Sequence, residues 1–358
     1  MNYGGVGVLV APDGSLWSWG EAFTETINSG EMKYSLTCPL DDMRSFETPR
    51  RVGTNTDWAQ LTGNGHEIYT LKTDGTLYHW MITSNSAKPV QIGPDSNWRQ
   101  ISWANGTMLA LKTDGSVWSW HNDTFGMPGY ATNSKTNSPV MVGTEHDWRA
   151  IEALFFDSYA IKNDGSLWSL SHSPPFKPIE IGNQSNWLVM SGFEFAFSAL
   201  RADGVFWWKG VGDFNREESG VHWTNVYPGN DSVFARKEDG SWWGRGENRF
   251  DTFALGHGVS KLPRMTRLPY DFEAWAFAPG LTSTLLLTRG GKLWSWGNRM
   301  GKGLTPTQRG IRLFIDKAGK KLSFLYLFSP SVTDHVPHLV WELPPEVRVS
   351  LTNDASPP

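Results

Sequence analysis

The sequence predicts an all-β chain that folds as a seven-bladed β-propeller with four-stranded antiparallel blades. Three recurring landmarks support this prediction: a tight Asp-Gly turn, a tryptophan and a proline, each at a fixed place in a repeating unit. The turn glycines follow one another at intervals of 36 to 61 residues. Repeats of this length are typical of solenoids, propellers and arrays, so the period indicates the architecture before any local motif does.

The first landmark is a turn followed by an aromatic strand. Asp and Gly suit the positive φ angles of a two-residue hairpin, so each copy predicts two short strands joined by a tight turn. The turns are Asp13-Gly14, Asp74-Gly75, Asp114-Gly115, Asp164-Gly165, Asp203-Gly204, Asp239-Gly240 and the degenerate Gly290-Gly291. One aromatic position after the turn is shared by all copies, which predicts packing between blades. It is occupied by Trp17, Tyr78, Trp118, Trp168, Trp207, Trp243 and Trp294.

The other two landmarks define the rest of the unit. A tryptophan lies 17 residues before the turn glycine at Trp58, Trp98, Trp148, Trp187 and Trp223. A proline lies nine residues before four of these tryptophans, at Pro49, Pro89, Pro139 and Pro178. Each unit is therefore predicted to contain a tryptophan strand, a second strand, the turn, a third strand, a loop and a proline-led fourth strand.

The two ends of the chain are predicted to share one blade. The first 20 residues supply only a second and a third strand. The segment 337–340 repeats the proline-led signature, and residues 346–351 follow as a candidate first strand, with Val349 placed as Leu61 is in its own copy. We expect this tail to pair with the N-terminal hairpin and close the ring, which removes open sheet edges.

A single domain, 1–358, follows from this arrangement. The blades differ mainly in the loops between the third and fourth strands, which are long at 20–48, 121–138 and 246–262. The irregular arm 305–336 contains a candidate hairpin, 311–315 with 322–328, which is either an inserted arm or a surface cover. Such loops share one rim of the ring with the links between first and second strands, and the Asp-Gly turns lie on the other rim. Clustered insertions usually mark the binding face of a repeat protein.

Composition and motifs argue against several classes of function. A net charge of −4 does not favour nucleic acid or an anionic membrane, and a single cysteine, Cys38, excludes an internal disulfide. No apolar run is long enough to cross a membrane. The nine histidines lack metal-site spacing, and neither a phosphate-binding loop nor a nucleophile elbow occurs. We therefore predict no catalytic residue, no metal and no cofactor.

A cytoplasmic location is expected for the chain as written, because residues 1–11 lack the basic start and apolar length of a signal peptide. Secretion is the expectation if a leader has been removed.

The repeats resemble those of the regulator of chromosome condensation family. Gly63-Asn64-Gly65-His66 matches the start of that repeat, and Trp19-Gly20 and Trp296-Gly297-Asn298 match its later Trp-Gly. The resemblance covers residues 1–304 and implies a seven-bladed propeller. The tryptophan-rich strands are more similar to those of bacterial members of the family than to those of eukaryotic members. Members of the family include an exchange factor for a small GTPase that also binds chromatin, and a secreted bacterial inhibitor of β-lactamase. Both offer a rim to a protein partner, but no residue here carries over either activity.

The aromatic residues that differ between copies lie in or beside the predicted links at the channel mouth. Because they vary while the frame repeats, they are candidate anchors for a partner, although they could equally plug the core. With the one histidine that keeps the family pattern, the candidate binding residues are His66, Trp103, Phe155, Phe156, Phe193 and Phe195.

We therefore predict a monomeric, non-enzymatic scaffold that binds a protein partner as an inhibitor, regulator or adaptor. One alternative is a lectin-like module that stacks carbohydrate on exposed tryptophans. A second alternative is an enzyme whose site lies in the central channel, which would need acidic or histidine side chains converging on the axis.

A basic residue also recurs two positions before the turn aspartate. It is Lys72, Lys112, Lys162, Arg201 and Lys237 in five copies. The repeat predicts either an incomplete ring of positive charge or, preferably, copied solvent-facing residues that deter edge pairing.

Overall fold

Short β-strands joined by tight turns make up the described chain in the computed structural model, and none of the described residues is in a helix. The structure describes residues 6–20, 24–28, 31–35, 46–63, 67–81, 89–104, 107–121, 139–154, 157–170, 178–193, 196–209, 215–217, 222–229, 231–248, 251–255, 258–279, 283–289, 291–298, 310–315, 321–326 and 333–342.

The strands in chain order are β1 Val6–Val10, β2 Leu16–Gly20, β3 Thr24–Asn28, β4 Glu31–Ser35, β5 Phe46–Arg51, β6 Trp58–Gly63, β7 Glu67–Lys72, β8 Leu77–Met81, β9 Val90–Gln91, β10 Trp98–Ala104, β11 Thr107–Lys112, β12 Val117–His121, β13 Val140–Met141, β14 Trp148–Ala153, β15 Ser158–Lys162, β16 Leu167–Leu170, β17 Pro178–Glu180, β18 Trp187–Phe193, β19 Ala196–Arg201, β20 Phe206–Lys209, β21 Asn215–Glu217, β22 Trp223–Pro228, β23 Ser232–Lys237, β24 Trp242–Glu247, β25 Lys261–Arg267, β26 Ala274–Pro279, β27 Ser283–Thr288, β28 Lys292–Asn298, β29 Gly310–Ile315, β30 Lys321–Tyr326 and β31 Thr333–Glu342.

Each predicted turn joins the second and third strands of a separate antiparallel sheet, which confirms the predicted propeller grammar. We number the sheets in chain order. Sheet 1 has the order β29-β30-β1-β2-β5, and sheets 2 to 6 are β6–β9, β10–β13, β14–β17, β18–β21 and β22–β25. Sheet 7 has the order β26-β27-β28-β31. The predicted long loop 20–48 contains a further hairpin, β3–β4, which forms a two-stranded sheet of its own.

The first strands of the sheets line the axis of the ring. In the order β6, β10, β14, β18, β22 and β26, each contacts the next, and β30 contacts both β26 and β6. The cycle of innermost strands is therefore closed, and sheet 1 contains strands from both ends of the sequence, as predicted.

Among the described residues, a strand of the arm 305–336 pairs with the N-terminal strand. The proline-led strand β31 does pair with β28, with Leu339 opposite Trp294, as the signature predicted. The inner edge of β1, however, is taken by β30, with Val8 opposite Leu325. The predicted first strand, residues 346–351, lies outside the described residues. Among the described strands, both edges of β1 are taken, one by β2 and the other by β30.

The arm 305–336 supplies this closing strand as part of a hairpin. β29 and β30 pair over Gly310–Ile315 and Lys321–Tyr326, close to the hairpin that the sequence indicated. β29 contacts the innermost strands of four other sheets, β6, β10, β18 and β26. The hairpin β29–β30 is therefore part of sheet 1, and β29 lies against the innermost strands of the ring.

The Asp-Gly turns differ from the predicted two-residue hairpins. Gly115 donates its N–H to the Lys112 oxygen at 3.1 Å, and Lys112 donates to the Ser116 oxygen at 3.0 Å. This pattern describes a three-residue loop closed by a glycine bulge, not a two-residue hairpin. Gly115 has φ +82°, whereas Asp114 is not among the residues with positive φ. A side chain at Gly115 would collide with the His146 carbonyl of the next sheet, so only glycine fits.

The same turns join neighbouring sheets. The Gly115 carbonyl accepts the Trp148 N–H of the next sheet at 3.2 Å, and the equivalent bond from Trp98 to Gly75 is also 3.2 Å long. The turn glycine and the tryptophan recur together because each unit needs both to dock on the next. Apolar side chains then pack between adjacent sheets, for example Leu71 and Leu77 of sheet 2 against Trp98 of sheet 3.

Side-chain amides connect the innermost strands near the axis. Gln60 donates to the Arg99 carbonyl at 3.0 Å and accepts the Ile101 N–H at 3.2 Å. One strand further round, Gln100 donates to the Ile151 carbonyl and accepts the Ile151 N–H. Each amide replaces a strand partner that the splayed sheets cannot supply, so the inner wall keeps its backbone groups paired.

Candidate functional site

The predicted binding residues belong to the rim opposite the Asp-Gly turns, here called the loop rim. In sheet 4 the Leu154 N–H donates to the Asp157 carbonyl at 2.8 Å, so this link turns back within four residues. In sheet 5 the flanking residues Phe193 and Ala196 are paired directly. In each of these adjacent sheets, the residues on either side of the link are therefore close together.

The structure describes only part of the predicted set. His66, Phe155, Phe156 and Phe195 lie outside the described residues. Phe193 is the last residue of β18, and its side chain is not described. These five positions stay predictions.

Trp103 is fixed between sheets 2 and 3. Its backbone N–H donates to the Thr62 hydroxyl at 2.9 Å, and its half-buried ring packs against the apolar cluster of these sheets. Its indole nitrogen is buried and has no hydrogen-bond partner among the described residues. Trp103 thus stabilises the rim between two sheets, and an indole held in this way also presents a rigid wall beside the links.

A polar cluster below the links of sheets 4 and 5 was missed by the sequence analysis. The Asp157 carboxylate accepts from Lys209 Nζ at 3.0 Å and from the Tyr159 hydroxyl at 3.3 Å. Burial, and then the charge of Asp157, raises the pKa of Tyr159 well above its usual range, so the phenol keeps its proton and remains a donor. The cluster ties the third strand of sheet 5 to the link of sheet 4.

Close packing supports the same junction from below. The Tyr159 ring lies on Phe197 of the next sheet, with ring centroids 4.2 Å apart. Glu152, which is buried, and Leu154 pack on the open face of Gly192, where a larger residue would collide with both. The link of sheet 4 is therefore held against sheet 5 by the Asp157–Lys209 ion pair and by these close side-chain contacts. No repeat signal predicts this junction, because its residues belong to two different copies.

The recurring basic residues on the opposite rim, the turn rim, have a structural role. Lys112 Nζ lies 4.6 Å from the Trp98 ring centre and 4.5 Å from that of Trp118, and it pairs with Asp95 at 2.9 Å. Its side chain is 11% exposed. Lys72 and Lys162 are held in the same way between the aromatic residues of their own sheets. The expectation of solvent-facing residues is therefore wrong for these three lysines. Each is held between two aromatic rings by cation–π attraction and is paired with a carboxylate that offsets the loss of water.

Two further features bear on what the described residues can bind. Among them, no group of three or more histidine, cysteine or acidic residues is placed to hold a metal ion. Within the same part of the chain, no helix long and apolar enough to cross a membrane is found.

The comparisons with known proteins agree with this architecture. No protein-family model and no curated protein matches the sequence. Solved structures do match: Prp20p from Saccharomyces cerevisiae, described together with its binding to Gsp1p and histones, has a TM-score of 0.61 and 15% identity over 88% of this chain and 90% of that chain. Human WBSCR16 has a TM-score of 0.61 and 14% identity over 95% of this chain and 94% of its own.

A second structure of the yeast protein is also similar. Yeast RCC1 (Prp20) bound to Kap60 has a TM-score of 0.61 and 14% identity, with 88% of each chain covered. At such identities the similarity concerns the fold. The chain therefore has the β-propeller fold of the regulator of chromosome condensation repeat proteins.

Proposed function

We propose that this chain is a non-enzymatic scaffold that binds a protein partner through its loop rim. The observation that carries the proposal is the position of β29 inside the ring of innermost strands. Because one of the chain's own strands lies against the inner walls of four sheets, it takes up space that an enzyme site in the channel would need, and the rims are the surfaces that favour a partner.

The loop rim is favoured over the turn rim because its segments differ between copies. The turn rim repeats one arrangement of turn, lysine and tryptophan, whereas the links of sheets 3 to 5 carry different residues between strands that pair in similar ways. Variable side chains on a rigid repeated frame are how repeat proteins bind specific partners. The Asp157–Lys209 pair supports this interpretation, since it ties the link of sheet 4 to the third strand of sheet 5.

The class of partner is inferred from chemistry and from structural neighbours. The net charge of −4 favours neither nucleic acid nor anionic lipid. Prp20p, which shares the fold, was described with its binding to Gsp1p and histones, which are proteins. We infer protein binding for this chain as a class, as an inhibitor, regulator or adaptor.

The carbohydrate alternative finds less support. Sugar stacking needs an exposed aromatic ring, but among the described side chains the large exposed apolar residues are Val90, Val140, Ile179 and Leu188. The described tryptophans are buried or half-buried.

The experiment that tests the proposal compares two doubly substituted variants in affinity capture from a lysate of the native host. Phe155→Ser with Phe156→Ser alters the link of sheet 4. Val90→Ser with Ile179→Ser is the matched control, because these residues are 67% and 61% exposed on the outer edges of sheets 2 and 4. We expect the first variant to lose about tenfold or more in affinity for the captured protein, as removal of interface anchors does.

The control should keep its affinity, and both variants should keep the melting temperature of the parent protein. Equal capture by parent and by the Phe155/Phe156 variant would show that the loop rim is not the binding surface. Equal loss in both variants would show that capture depends on general surface hydrophobicity.

A further inference from the structure

The innermost strands share a β-bulge close to the turn rim. In sheet 3, Trp98 is opposite Lys112 and Gln100 is opposite Leu111, so Arg99 has no partner residue. The same shift occurs in the first strands of sheets 2 and 4 to 7. Bulges re-aim side chains and are common at rims and beside functional sites. The unpaired residues, here called the bulge ring, are Ala59, Arg99, Arg149, Leu188, Thr224 and Trp275.

The residue type differs between positions of the bulge ring, whereas the residue before the bulge is nearly constant. The residue before the bulge is a buried tryptophan in sheets 2 to 6. The bulge residues themselves range from alanine to arginine, and the five whose side chains are described all reach solvent. Since the fold demands the tryptophan but not a particular bulge residue, the chemistry of the ring is free to serve binding at the mouth of the axis.

Two arginines of the ring are anchored in series. Arg99 Nη2 donates to the carbonyls of Trp148 at 3.1 Å and Arg149 at 2.8 Å. Arg149 Nη2 donates in turn to the Trp187 carbonyl, directly before Leu188. A guanidinium has five N–H donors, and the described bonds use one nitrogen of each. The remaining donors are held in place in advance, which lowers the entropy cost of binding an anion.

The charges of this pair are only partly balanced. Burial and the nearby charge of Arg149 lower the pKa of Arg99, and burial lowers that of Arg149, which the charge of Asp164 offsets in part. An arginine does not lose its proton in a protein, so the two positive charges stay together. Among the described residues, no carboxylate is within ion-pair distance of either guanidinium.

An apolar contact lies next to the arginines. Leu188 is 46% exposed, on the strand whose Trp187 carbonyl Arg149 contacts. Two guanidiniums beside one exposed leucine suit a short acidic peptide better than a nucleic acid, which would need a longer basic track and would be repelled by the acidic chain.

We propose that Arg99, Arg149 and Leu188 form a second docking site, at the turn-rim mouth, for an acidic segment of a partner protein. A glutamate or aspartate carboxylate would accept from the guanidiniums, and a neighbouring apolar side chain would cover Leu188. The site lies on the rim opposite the loop rim, so it is independent of the proposed function.

The test is fluorescence anisotropy with a short fluorescein-labelled peptide of glutamate and leucine. We expect saturable binding that weakens with salt, and a loss of about three- to tenfold for Arg99→Gln and for Arg149→Gln. Leu188→Ala should weaken binding about two- to threefold. Arg51→Gln is the matched control, because Arg51 is an exposed arginine that also donates to a backbone carbonyl, that of Thr54 at 3.1 Å. It should bind as the parent does.

Further arms address stability and specificity. Arg99→Lys keeps the charge, so it should bind better than Arg99→Gln if charge attraction drives docking, whichever variant is less stable. The same peptide with glutamines in place of glutamates should not bind. The proposal is overturned if no saturable binding occurs, or if Arg51→Gln loses as much as the ring variants. Tighter binding of a single-stranded oligonucleotide, or displacement of the peptide by low inorganic phosphate, would overturn it too.

Discussion

At the scale of single residues, the buried lysines show how a repeat can conceal a structural role. Lys112 follows a solvent-facing pattern in sequence, yet it lies between Trp98 and Trp118. The two rings stand edge to face, with centroids 6.2 Å apart and an interplanar angle of 88°. The cation is therefore part of the inter-sheet core, and Asp95 balances its charge.

We expect Lys112→Met to lower the free energy of unfolding by about 1–2 kcal/mol, the range for a partly desolvated cation–π contact. Methionine fills a similar volume, so the change isolates the charge. The control is Lys261→Met, because Lys261 pairs with Glu247 at 2.8 Å but is 59% exposed. It should lose less than about 0.5 kcal/mol in urea unfolding. Equal losses in the two variants would contradict a role for the aromatic sandwich.

Only some residues of the candidate site could be predicted from the sequence. The variable aromatics Phe155, Phe156, Phe193 and Phe195 stand out in the sequence because they break the repeat. Asp157 and Lys209 do not, because each looks like ordinary surface charge until two sheets bring them to 3.0 Å. The bulge arginines were missed for another reason: the residue at the bulge differs between most copies, so the repeat does not mark the position.

At the scale of the element, the turn carries a chain of hydrogen bonds from aspartate to tryptophan. The Asp114 carboxylate accepts from the Ser116 hydroxyl at 2.6 Å, and that hydroxyl accepts from the Trp118 indole at 2.8 Å. The same chain occurs at Asp164 and Asp239 in their own sheets. The serine after Asp-Gly thus orients the aromatic residue of the strand that follows the turn, and this residue packs between sheets.

We expect Ser116→Ala to cost about 1–3 kcal/mol in urea unfolding at neutral pH, because the Trp118 N–H then loses its acceptor. Thr76→Ala is the control. Thr76 makes the same bond to Asp74 at 2.6 Å, but the aromatic residue of its sheet, Tyr78, has no ring N–H. The control should lose less than about 1 kcal/mol. A control loss as large as that of Ser116→Ala would rule out the indole bond as the cause.

The pH dependence of unfolding stability gives a second test of the Ser116→Ala substitution. The Ser116 hydroxyl and then its backbone N–H hold the pKa of Asp114 below its ordinary value of 3.8. A depressed carboxyl pKa stabilises the folded state above the unfolded value, and this contribution is lost as the pH falls through the folded pKa. The stability difference between the parent and Ser116→Ala should therefore narrow below about pH 3.8.

At the scale of the whole molecule, closure depends on a hairpin inserted late in the sequence. β30 supplies the innermost strand of sheet 1, and its partner β29 lies within the ring. The N-terminal strand β1 therefore depends on residues more than three hundred positions away. Closing so long a loop has a high entropy cost, so we expect this contact to form late in folding.

We expect replacement of residues 310–326 by a flexible linker to lower the melting temperature by about 5–10 °C, the effect of losing several kcal/mol in a chain of this size. Hydrogen exchange should accelerate first at Val6–Val10, which loses its inner partner. The control deletes residues 24–35, because β3 and β4 pair only with each other. Unchanged exchange at Val6–Val10 in the first variant would contradict closure by β30.

The sequence by itself determined the repeating unit: the turn glycines, the tryptophans and the proline-led strands each recur for a local reason, and so they could be read in order. Tertiary structure alone decided which strand closes the ring, because several apolar segments can occupy an open edge and only packing against β6 and β26 selects β30. It also decided where Lys112 and Arg99 point, since burial and bulges depend on the neighbouring sheet rather than on residues nearby in the chain.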